Sequence, residues 1–79
     1  MTKFTGPMRV RVDKSALTRR QLDVVELMAE GMSNRQIAEE LGISPNTVKA
    51  HGVSIRNKLG HPHTRAATVA EAVRRGVLI

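Results

Sequence analysis

Asn46, Lys49, Ala50 and Val53 follow one another at steps of three, one and three in "SPNTVKAHGVSIRNKLG". On a helix those steps put all four on one face, beginning at its N-terminus. Lys49 and Asn46 carry the kind of polar group that hydrogen-bonds base edges, and Ala50 and Val53 suit the methyl group of thymine. Lys49, Arg56 and Lys58 make the segment basic, and no acid falls between residues 45 and 59. The second set with chemical potential is His61 and His63, which flank Pro62. With no carboxylate nearby in sequence and no cysteine in the chain, this pair is expected to serve a turn or touch a phosphate, and no metal site is expected. There is neither a Gly-rich phosphate loop nor a nucleophile elbow, so no enzyme activity and no cofactor are expected.

Positioning such a face requires helices with fixed ends, and the sequence marks them. In "LTRRQL" Thr18 is the expected N-cap, Gln21 its reciprocal capping-box partner, and Leu17 and Leu22 the hydrophobic staple. "MSNRQI" repeats the device with Ser33, Gln36, Met32 and Ile37, and "ISPNTV" uses Ser44, Pro45 at the first helical position, Ile43 and Val48. Gly31, Gly42 and Gly60 stand where left-handed C-caps are wanted. The spacing predicts helices over about residues 19–30, 34–41 and 45–59, and a fourth from Thr64 to Gly76, with Arg74 and Arg75 complementing its C-terminal dipole. The expected fold is all-α.

Val48, Gly52, Ile55 and Leu59 recur at steps of four, three and four. They define the buried face of the third helix, expected to pack on Ile37, Ala38 and Leu41 of the second. A glycine inside a helix costs about 1 kcal/mol relative to alanine. Gly52 is therefore expected to have a purpose, namely a closer approach of the third helix to the second.

The chain has 79 residues, no cysteine, and Phe4 as its only aromatic residue. Base stacking on aromatic side chains is thereby excluded as a mode of recognition. A formal net charge of +6 suits nucleic acid or an anionic surface. No apolar run approaches the roughly 20 residues of a membrane span, and "MTKFTGPMRVRV" has no apolar stretch before a cleavage site. A cytoplasmic protein without membrane association is expected. Residues 1–16 hold Lys3, Arg9, Arg11 and Lys14 against one acid, Asp13, and are expected to form a flexible basic arm ahead of a domain spanning residues 17–79.

The second and third helices are separated only by the short turn in "LGIS", the arrangement of a helix-turn-helix. Acidic residues lie on other helices: Asp23, Glu26 and Glu30 on the first, Glu39 and Glu40 on the second. A basic helix offered from such a scaffold suits the major groove of duplex DNA. In "LTRRQLDVVELMAEGMSNRQIAEELGISPNTVKAHGVSIRNKLG" and "TRAATVAEAVRRGVL" the sequence resembles the LuxR/FixJ/GerE-type helix-turn-helix domains of bacterial transcription regulators. The resemblance implies a tri-helical core, a C-terminal helix that dimerises, and double-stranded DNA as partner, with RNA polymerase a further candidate.

Carried over by position, the resemblance makes Lys49, Ala50 and Val53 base-facing, beside Asn46 from the spacing. It makes Asn34, Thr47 and Lys58 phosphate-bonding, assigns His51 to packing or phosphate, and places Arg20 at a basic position suited to a salt bridge or a DNA contact. Arg19 replaces a usual proline and is long enough to reach a phosphate, as is Arg56. Homodimerisation is expected through Ala66, Val69, Ala70 and Val73. Val53 stands where many members of the family are polar or basic, and "GHPH" makes the loop before Thr64 one residue longer than usual. Two other readings share parts of the pattern: a sigma-factor region-4-like promoter-binding module, and a helix-turn-helix bundle that binds a transcription protein instead of DNA. Either a stand-alone regulator or a piece of a larger one is consistent with the length.

Overall fold

The computed structural model describes residues 17–78, so the expected arm at residues 1–16 lies outside the described residues. Four helices follow in order: α1 (Arg19–Ala29), α2 (Asn34–Leu41), α3 (Pro45–Lys58) and α4 (Arg65–Arg74). Each begins where the sequence places a cap. The Gln21 N–H donates to Thr18 Oγ1 at 3.1 Å while the Thr18 N–H donates to Gln21 Oε1 at 3.0 Å. Ser33 and Gln36 repeat the exchange at 3.2 and 2.9 Å. The Thr47 N–H donates to Ser44 Oγ at 3.1 Å ahead of α3, and the Ala67 N–H to Thr64 Oγ1 at 3.0 Å ahead of α4. Each cap satisfies an N–H that the helix itself leaves without a partner, worth about 1 kcal/mol.

α2 stops at Gly42, whose φ of 68° is left-handed and whose N–H donates to the Ala38 carbonyl. That conformation lets Ile43 and Ser44 turn the chain into α3 after only three residues. After α3, Gly60 and then His61 are both left-handed, with φ of 83° and 60°. The His61 N–H donates to the Arg56 carbonyl at 2.7 Å and closes the end of the helix. A left-handed histidine is uncommon and was not foreseen from the sequence.

α1 and α2 both pack against α3, and α1 also packs against α4. The core joins Leu22, Val24, Val25 and Leu27 of α1 to Ile37 and Leu41 of α2 and to Val48 and Ile55 of α3. Ile37 and Ile55 are fully buried, so truncating either to alanine should cost about 2–5 kcal/mol. From α4 the buried residues are Thr68 and Ala72, one turn apart, with Val77 and Leu78 closing the core behind them. The Thr68 hydroxyl donates to the Thr64 carbonyl at 2.8 Å, which accounts for a polar group in this position.

Gly52 lies on the buried face of α3 between Val48 and Ile55, as the spacing predicts. The purpose expected for it is not what the packing shows. A β-carbon there would meet only the guanidinium of Arg56, at 3.5 Å, and no atom of α2 within 4 Å. Space beside Gly52 is open, and α2 is not pressed against it.

Candidate nucleic-acid interface

The turn between α2 and α3 leaves one face of α3 without a packing partner among the described residues. Asn46, Lys49 and Ala50 are exposed there, and Val53 keeps 46% of its surface in solvent. Four positions predicted to share a face do share one. At the N-terminus of α3 the hydroxyls of Ser44 and Thr47 lie 2.9 Å apart, both exposed. Pro45 has no N–H and the Thr47 and Val48 N–H groups donate to Ser44, so what this helix start offers an anion is the exposed hydroxyl pair, with the positive end of the helix dipole adding to its pull.

The residues expected to touch phosphate lie in different environments. Arg56 and His51 are half-buried along α3. Asn34 opens α2, and its Oδ1 accepts from Nη2 of Arg65, whose Nη1 also donates to the Met32 carbonyl at 2.5 Å. Lys58 donates from Nζ to Gln21 Oε1 at 2.9 Å, so its ammonium ties α3 to α1. Gln21 is buried and also donates from Nε2 to Ser54 Oγ at 2.8 Å. The capping motif announces the first role of Gln21 but carries no sign of the second.

Arg19 and Arg20 both pair with Asp23, at 3.6 and 3.7 Å. Burial pushes the Asp23 carboxyl above its ordinary value, and the two guanidiniums oppose that shift without cancelling it. Both arginines keep much of their side chains in solvent, 65% and 43% exposed, so screening holds each of these long pairs to about 1 kcal/mol or less. His61 and His63 are exposed in the loop before α4, and no cluster of three metal-ligating side chains occurs among the described residues.

On α4, Ala66, Ala70 and Val73 are exposed at steps of four and three, whereas Val69 is half-buried against the core. The arginines at its end do more than complement a dipole. Arg74 and Arg75 both hydrogen-bond Glu71, and Arg75 Nη1 donates to the Lys58 carbonyl at the end of α3, at 3.5 Å. These guanidiniums pull the Glu71 carboxyl from its ordinary 4.5 down to about 2.

Two capped helices joined by a three-residue turn, the second presenting a cationic face free of acids, define a helix-turn-helix nucleic-acid-binding unit. Residues 15–70 match the family described as "Bacterial regulatory proteins, luxR family". The chain belongs to that family and is a DNA-binding helix-turn-helix domain of the kind found in its transcription regulators. It is 45% identical over 62 residues to the nitrate/nitrite response regulator protein NarP of Escherichia coli, covering 78% of this chain and 29% of that protein. It is 42% identical over 76 residues to the HTH-type transcriptional activator RamA of Corynebacterium glutamicum, covering 96% and 26%. With the transcriptional regulatory protein DegU of Brevibacillus brevis the identity is 43% over 60 residues, covering 76% and 25%. The chain thus spans a third or less of the length of the curated relatives it matches. No solved structure matches it significantly. Among the described residues no helix is long and apolar enough to cross a membrane.

Proposed function

We propose that the protein regulates transcription by inserting α3 into the major groove of a specific duplex site. Lys49, Asn46, Ala50 and Val53 face the bases in this reading, and the backbone is held by Asn34, Thr47, His51, Arg56, Lys58, Arg19 and Arg20. The observation that carries it is the exposed face of α3, with Lys49 as the one charged group among four solvent-facing positions. Ala50 and Val53 offer thymine methyl contacts, each weaker than a bidentate polar pair worth about 1–3 kcal/mol. Specificity therefore leans on Lys49.

Symmetry would come from α4. Ala66, Ala70 and Val73 form an exposed apolar stripe flanked by Val69, small enough to let a second copy approach closely. A homodimer made this way reads an inverted repeat, acting in the cytoplasm with RNA polymerase as a further partner. No enzyme activity enters this function. The test is a salt titration of duplex binding, in which log K falls linearly with log salt by about 0.9 per phosphate neutralised. Salt-insensitive association, or binding only to a transcription protein, would replace DNA as the partner.

A further inference from the structure

A pocket of about 50 Å³ opens beside Gly52. Its apolar floor is Val24 and Met28 of α1 and Val48 of α3, all buried. Its polar lining is Asn34, Lys49, Arg56 and Arg65, with no carboxylate among the lining residues. One water needs about 10–15 Å³ by such a measure, so the space admits a group larger than a single water. Three cations sharing one pocket repel each other unless an anion joins them.

The two arginines differ in how they are held. Arg65 is fixed by its bonds to the Met32 carbonyl and to Asn34 Oδ1, and a guanidinium with five donors retains others for a ligand. Arg56 has no carboxylate partner among the described residues, and its guanidinium lies back beside Gly52, 3.5 Å from where a β-carbon would stand. A larger side chain at position 52 would take that space. Asn34 is the first residue of α2, so the positive end of that helix adds to the field. An apolar floor strengthens charge-assisted hydrogen bonds above it.

Resting on the DNA-binding reading, we propose that this pocket seats one phosphate group, a backbone phosphodiester beside the groove that α3 enters, and that Gly52 keeps the seat open. Gly52→Leu tests this by filling the pocket while preserving every charge and improving helix propensity. Arg56→Gln, at a half-exposed position, removes the charge without altering the core. With circular dichroism showing wild-type helix content, each variant should lose duplex affinity severalfold at about 0.1 M salt and lower the slope of log K against log salt by about 0.9. Unchanged affinity and slope in Arg56→Gln, beside a wild type that binds duplex, would overturn the pocket and leave DNA binding intact.

Titrating inorganic phosphate into the DNA-free protein, with amide chemical shifts as readout, separates the two sources of phosphate. Saturable shifts at residues 34, 52, 56 and 65 that Gly52→Leu abolishes would show a seat for the free anion as well. Their absence, alongside the lost salt slope, would assign the seat to the phosphodiester alone. Should the wild type bind no duplex, the DNA reading fails, and absence of those shifts would then overturn the pocket too.

Discussion

Lys49 stands alone as a charge on the exposed stripe of α3, so Lys49→Ala should abolish discrimination between sites and leave the fold unchanged. A mobility-shift comparison of specific and scrambled duplexes checks it; equal discrimination before and after would move the readout off this face. Gly52→Ala should raise stability by about 1 kcal/mol, because the added β-carbon meets Arg56 at an ordinary contact distance. Thermal unfolding would then shift upward by about 4–8 °C for a domain of this size. The stripe itself was legible because helical period alone decides which residues share a face. The bond from Lys58 to Gln21 was not, since it joins residues 37 apart whose meeting depends on how α1 crosses α3.

Helix ends are local, which is why the starts at Thr18, Ser33, Ser44 and Thr64 could be placed from the sequence. Each cap is complete within four residues. The faces of α4 were harder to assign, because "RAATVAEAVR" places alanine on every side and hides the buried pair Thr68 and Ala72. Gln21→Ala removes a capping box together with the side-chain bonds that the buried Gln21 makes to Ser54 and Lys58. We expect a loss of about 1–3 kcal/mol in urea unfolding.

Glu71 makes a pH prediction for α4. Its carboxyl falls from 4.5 to about 2 in the folded protein, so the folded state binds this proton less tightly than the unfolded chain. Its contribution is therefore fully present above about 4.5 and is lost as pH drops toward 2. Glu71→Gln should flatten that part of a stability profile measured by urea unfolding across pH 5 to 2. An unaltered acid limb would show that the Arg74 and Arg75 bonds contribute nothing.

At the scale of the whole molecule, acids are shared among the other three helices and α3 has none. α3 carries Lys49, Arg56 and Lys58 without an acid, and Arg65 adds a fourth cation beside its inner edge. The division was visible in sequence as a charge count per helix, but the pocket beside Gly52 was not. It depends on four helices meeting, and its vacant space belongs to no residue. The most direct test of sequence-specific binding is selection of bound sites from a random duplex library. The wild type should enrich an inverted repeat, and Lys49→Ala should lose that enrichment. A library that stays random with the wild type, or a motif that survives Lys49→Ala, would contradict that expectation.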